Sequence, residues 1–138
     1  MKTKLENSKM ILQAVALNNN LTILKLSDVL VFKEESNYDI LISYLEQTRN
    51  LKMLELRQNN VTDSVIKSMI PAFSKATKLS HLDLSQNSLT ENSLPALMDY
   101  LTISNLNCLS VAKNNISFTE SSFKYVQVGL SQSNLNHF

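Results

Sequence analysis

The chain has 138 residues, with 13 basic against 12 acidic side chains and a net charge of +1; that is enough for one domain with its own core, and the balance gives no reason to expect nucleic acid or an anionic membrane as partner. No apolar run approaches the roughly 20 residues of a membrane span, and the polar start, Met1 to Lys9, does not read as a secretory signal. Cys108 is the only cysteine, so no internal disulfide can form and a reducing, cytoplasmic or otherwise intracellular compartment is expected.

In chain order, Ile11, Leu12 and Val15 make a short stripe at helical spacing, which predicts an opening half unit over residues 1–20. Leu21 then begins the first of four segments that align without gaps. They are LTILKLSDVLV from Leu21, LKMLELRQNNV from Leu51, LSHLDLSQNSL from Leu79 and LNCLSVAKNNI from Leu106. Each has apolar residues at its positions 1, 4, 6 and 11. The alternation around positions 4 and 6 is the period of a strand with one buried face, so Leu54 and Leu56 should point inward and Glu55 outward. The starts lie 30, 28 and 27 residues apart, and a fifth start, Leu135 with Phe138, follows 29 residues later. The expected organisation is one domain over 1–138, with units 21–50, 51–78, 79–105 and 106–134 and a truncated fifth over 135–138.

Between the strands the spacing turns helical. The stripes are Tyr38, Leu41, Ile42 and Leu45; then Ile66, Met69, Ile70 and Phe73; then Leu94, Leu97, Met98 and Leu101. A last stripe has Phe123, Val126 and Leu130, with Gln127 in the remaining slot. Thr62 with Asp63, Thr90 with Glu91, and Ser117 with Glu120 are placed to cap these helices. Pro95 falls in a first turn, whereas Pro71 falls inside the second full helix, where it should kink it.

The turns need a separate account. Leucine occurs 23 times and asparagine 16 times, but glycine once, where average usage would give about 10 glycines. Asparagine tolerates a left-handed backbone and is expected to serve instead. Asn59, Asn87 and Asn114 at position 9 should bond loop backbone as the chain leaves each strand. Val29 stands there in the first unit, whose loop should be less well fixed. Asn20, Asn50, Asn105 and Asn134 directly precede strand starts, where a left-handed residue would suit.

Three copies of L-x-x-L-x-(L/V)-x-x-N-x-(L/V/I) at this period resemble the leucine-rich-repeat family, and the full helix in each unit resembles its ribonuclease-inhibitor-like subfamily. The glycine usual near each helix start there is absent here. The resemblance implies an α/β solenoid of about four to five repeats, a curved parallel sheet lined by helices, whose concave strand face binds a partner.

The outward side chains of that face form rows, because equal positions on neighbouring parallel strands sit about 4.8 Å apart. Position 3 holds Ile23, Met53, His81 and Cys108; position 5 holds Lys25, Glu55, Asp83 and Ser110. Position 7 holds Ser27, Arg57, Ser85 and Ala112; position 8 holds Asp28, Gln58, Gln86 and Lys113. The candidate partner-binding residues are Met53, Arg57, His81 and Asp83 at the centre, with Glu55, Ile23, Lys25 and Cys108 around them. A weakly apolar row with charged flanks fits a contact with a dry centre and a polar rim. Ordinary solvent-facing residues of mixed type are the competing reading.

Cys108, His81 and Asp83 should be neighbours, so nucleophilic catalysis and zinc binding both need weighing. A shallow strand face offers no cleft and no oxyanion donors, and a structural zinc site wants four ligands. No phosphate-binding, dinucleotide-binding or H-E-x-x-H motif is present. The expected function is therefore non-catalytic binding of a protein or peptide, with no metal, no cofactor, no nucleic acid and no membrane. Two alternatives stand beside it: regulation of an enzyme such as a small GTPase or nuclease, and self-association through the C-terminal sheet edge. If the chain is a pathogen effector, the expected compartment is the host cytosol.

Overall fold

The computed structural model describes residues 4–29 and 35–138. Helix α1 (Lys4–Ala16) precedes β1 (Ile23–Lys25), α2 (Glu35–Gln47), β2 (Met53–Glu55), α3 (Asp63–Lys75) and β3 (His81–Asp83). A 3₁₀ turn (Glu91–Ser93) then leads into α4 (Leu94–Ile103), followed by β4 (Cys108–Ser110) and α5 (Glu120–Ser131). The class is α/β: four parallel strands in one sheet of order β1-β2-β3-β4. Strict strand-helix alternation leaves each strand beside its sequence neighbours, with the helices covering one face.

Each strand is three residues long, but the backbone ladder continues past it. The position-6 amides Leu26, Leu56 and Leu84 donate to Glu55 O, Asp83 O and Ser110 O at 2.9, 2.8 and 2.8 Å. The position-8 amides Asp28, Gln58 and Gln86 donate to Arg57 O, Ser85 O and Ala112 O at 3.1, 3.2 and 2.8 Å. Inside this ladder Leu24, Leu54, Leu82 and Leu109 are buried, as are Leu26, Leu56 and Leu84. They pack against Leu41, Leu45, Ile66, Met69, Phe73, Leu94, Leu97, Met98 and Leu101 in one continuous cluster. The expected stripes of α2, α3 and α4 therefore face the core. Phe73 and Tyr100 meet at a ring separation of 5.9 Å, and burial pushes the Tyr100 phenol above the usual tyrosine range. Helix α3 runs on through Pro71, which lies on its exposed side.

The position-9 asparagines form a second ladder. Asn87 Nδ2 donates to Leu56 O, Leu84 O and Ser85 O at 3.1, 2.9 and 3.2 Å. Its Oδ1 accepts from the amides of Asn59 and Val61 at 2.9 and 3.1 Å. Asn59 and Asn114 bond in the same way, reaching Leu26 O and Leu84 O in the preceding unit. In the first unit the Val29 amide donates to Asn59 Oδ1 at 3.0 Å. The end of that unit's motif, Leu30 and Val31, lies outside the described residues.

Four expectations are corrected. Among the described residues the left-handed ones are Asp28, Gln58, Asn60, Gln86 and Lys113, so only one of these five is asparagine. Asp28, Gln58 and Gln86 turn their position-8 amides onto carbonyls of the next unit whatever side chain stands there, and Lys113 takes the same bend without such a bond. Asn20, Asn50, Asn105 and Asn134 are not left-handed. Instead Asn105 and Asn134 donate from Nδ2 to Thr77 O and Ser104 O, 3.0 and 3.3 Å away in the preceding units. The cap of α5 is Thr119, reciprocally bonded to Ser122, not Ser117, whose amide reaches Glu91 Oε2. Finally, Phe123 is 58% exposed; the buried face of α5 is Ser122, Val126 and Gly129. Gly129 explains the rotation, since a Cβ there would lie 2.7 Å from both Cβ and Sδ of Met98. Helix α5 approaches α4 through the one residue without a side chain.

Candidate strand-face binding site

The register is the one the repeat implied. Ile23, Met53, His81 and Cys108 are cross-strand partners in sequence, as are Lys25, Glu55, Asp83 and Ser110. Because Leu24, Leu54, Leu82 and Leu109 between them point to the helices, both rows stand on the open side of the sheet. Ile23 is 54% exposed, His81 is exposed, and Met53 and Cys108 are half-buried.

Six of the eight expected site residues meet around one hollow of about 260 Å³: Lys25, Met53, Glu55, His81, Asp83 and Cys108, joined by Ser110. Ile23 and Arg57 do not line it. Ile23 stands at the β1 edge, and Arg57 is drawn toward the next unit, where Nη2 donates to Gln86 Oε1 at 3.1 Å. Glu55 is held from the β1 side, accepting from Ser27 Oγ and facing Lys25 Nζ at 3.6 Å. With Lys25 61% and Glu55 21% exposed at the side chain, that pair orders the rim more than it stabilises the fold. Asp83 Oδ1 accepts from the Ser85 amide at 2.8 Å.

His81 and Asp83 are each held by a partner other than the other. His81 Nδ1 lies 2.8 Å from Ser80 Oγ, so the histidine is oriented by serine and the aspartate by its own strand's backbone. A nucleophile-base-acid relay needs bonds between these groups. Among the described residues, no three His, Cys, Asp or Glu side chains are placed to hold a metal ion.

His137 is not among the expected site residues. It extends the position-3 row: Cys108 and His137 form a parallel bridge. The Leu109 amide donates to His137 O at 3.1 Å, and the Asn136 and His137 amides donate to Asn107 O at 2.8 and 3.1 Å. The signal was the fifth start at Leu135, which makes His137 its third position. Leu135 is half-buried, but Phe138 remains 49% exposed and only partly covers the last layer. Phe138 and Phe118 border a second hollow of about 470 Å³ beyond β4.

No family model and no curated protein matches the chain. Its fold is similar to a solved structure described as leiomodin-1 actin-binding site 2, with TM-score 0.63 and 14% identity over 88% of this chain and 86% of that one. It is similar also to the tropomodulin C-terminal domain of Caenorhabditis elegans, with TM-score 0.66 and 15% identity over 95% of this chain and 77% of that one. At these identities the likeness is one of fold. It corrects the resemblance drawn from the motif: the neighbours in structure are leiomodin and tropomodulin domains, not ribonuclease-inhibitor-like leucine-rich-repeat proteins. The physical reason is that L-x-x-L-x-L-x-x-N reports a local event, one buried strand and one asparagine-held exit, whereas a family is distinguished by how whole helices stack across units, which those nine positions do not encode.

Proposed function

We propose that the chain is a non-catalytic protein-binding module and that it holds its partner on the open face of the sheet, centred on Met53, His81 and Asp83. The observation that carries this reading is the convergence of six expected side chains on one hollow in a regular strand register. Rows fixed by a backbone ladder present side chains at low ordering cost, which is what a contact surface needs. Met53 supplies an adaptable apolar contact, and Arg57 at the margin supplies a residue type enriched at binding hot spots. Residues 1–138 act as one unit in this reading, with divisions near 51, 79 and 106.

Actin is the first partner to test, because the leiomodin-1 domain of similar fold is described as an actin-binding site. Such a partner would place the chain inside cells, in keeping with its single cysteine. The test is co-sedimentation with filamentous actin and fluorescence titration of monomeric actin. Wild type should bind. Met53→Ala with Arg57→Ala should weaken binding at least about tenfold while the thermal midpoint stays nearly unchanged. Lys67→Ala with Lys75→Ala, on the helical side, should leave it intact. Loss through the helical side alone would move the site off the strands; no binding by any form would remove actin as the partner.

One observation favours a second reading, self-association at the far end of the sheet. The hollow bordered by Phe118 and Phe138 is lined largely by apolar groups, and exposed apolar surface beside a strand invites pairing. Light scattering across a concentration series checks it: a constant monomer mass excludes it.

A further inference from the structure

The hollow lined from all four strands has an electrostatic imbalance that specifies what enters it. We infer that it receives a basic side chain, arginine or lysine, presented by the protein partner. This rests on the strand-face reading above and names the chemistry the face would recognise.

Glu55 and Asp83 occupy the same register step on adjacent strands, so two carboxylates stand side by side about 4.8 Å apart at the backbone. Like charges directly opposite one another are unfavourable. On the β1 side the charge of Glu55 is met by Lys25 at 3.6 Å. Nothing does the same for Asp83. Its Oδ1 takes the Ser85 amide, its β4 partner is the neutral Ser110, and the ion pairs among the described residues are Lys25–Glu55 and Lys75–Glu46. Arg57, a basic side chain expected at the centre of this face, is bonded to Gln86 instead.

The uncompensated carboxylate therefore sits on the rim of a hollow whose walls include the Met53 thioether and the Cys108 side chain. A long basic side chain matches both parts. Its aliphatic stem lies along Met53, and its head places charge-assisted hydrogen-bond donors on Asp83, beside Glu55. An acidic side chain entering the same hollow would add a third negative charge. Arginine fits better than lysine where both carboxylates are reached, because its planar fork can bridge two acceptors.

The test needs no prior partner. A phage-displayed library of random linear peptides is panned on the full chain, and enriched peptides are synthesised and titrated calorimetrically against wild type, Asp83→Asn and Met53→Ala. Asp83→Asn keeps an oxygen acceptor for the Ser85 amide, so the fold is retained. The expected result is a shared arginine or lysine, with affinity falling about tenfold or more in Asp83→Asn, and an equal loss when citrulline replaces that arginine. Peptides that lose binding in Met53→Ala but carry no basic residue, or ignore Asp83→Asn, would overturn this inference and leave the strand-face reading standing. Peptides indifferent to both substitutions would overturn the strand-face reading as well.

Discussion

At the scale of single residues, the fold is held together between its leucines by side chains that replace missing backbone partners. Asn87 makes five bonds at a point where the chain leaves β3 and no regular ladder is available. Asn87→Ala strands two buried amides and should cost about 1–3 kcal/mol, seen as a lower denaturant midpoint at unchanged slope. Asn92→Ala should be near neutral, because Asn92 is exposed and contributes its backbone amide, not its side chain, to Thr90. The position-9 asparagines were legible in the sequence because their role is chemical and needs that side chain. The left-handed residues one position earlier were not, since aspartate, glutamine and lysine all stand there and no one side chain marks the bend. Lys113, at φ 54, tests this. Lys113→Gly relieves the conformational penalty and should leave stability level or raise it, whereas Lys113→Val puts a β-branched residue where it is least tolerated and should lower it by about 1–2 kcal/mol. Equal midpoints for the two variants would show that the turn does not hold this residue left-handed.

At the scale of elements, the expectations were good where a helix is covered on both sides and poor where it is not. In α2, α3 and α4 the apolar spacing and the buried face coincide, because neighbouring helices leave one orientation that hides the stripe. In α5 the same spacing pointed to Phe123, but the helix is set by Gly129 against Met98. Glycine carries no apolar surface, so a reading based on hydrophobic periodicity gives it no weight, although it decides how close two helices can come. Gly129→Ala separates the two influences. Helix propensity alone would stabilise the variant by about 1 kcal/mol. The collision with Met98 Cβ, which cannot swing away as a side-chain tip can, should outweigh that gain and leave a net loss of about 1–2 kcal/mol. A raised melting midpoint would mean that α5 packs less closely on α4 than the contact at Gly129 implies. The candidate site was legible for the converse reason. A strand has period 2, so once Leu54 and Leu82 are assigned to the core, Met53, Glu55, His81 and Asp83 have only one face left. What the period could not convey was direction along that face, and so Arg57, turned toward Gln86, was expected in the group and stands outside it.

At the scale of the whole molecule, the units interact in a line, and the consequences of a change should fall off with distance along it. The last rung makes this testable. Leu135 to His137 repeat the pairing of the earlier units: the Asn136 and His137 amides donate to Asn107 O just as the Asn107 and Cys108 amides donate to Ser80 O, and the Ser80 and His81 amides to Lys52 O. That identity of pattern argues for a fifth rung and not a loosely attached tail, even though Phe138 stays half-exposed. Deleting residues 135–138 removes three backbone bonds, including the one accepted from the Leu109 amide, and uncovers part of the β4 edge. Amide exchange at Leu109 should then accelerate strongly. The Leu56 amide, bonded to Asp83 on the neighbouring strand and two strands from β4, should keep most of its protection, because local opening at one end need not reach the middle. The denaturant midpoint should fall as well, and the exposed edge should raise the tendency to associate at high concentration. If Leu109 exchanges at the same rate with and without the segment, its bond to His137 carries no weight in solution and the rung is absent. If Leu56 and Leu109 lose protection together and equally, the chain opens as a single cooperative body, and neighbour-by-neighbour coupling does not describe it.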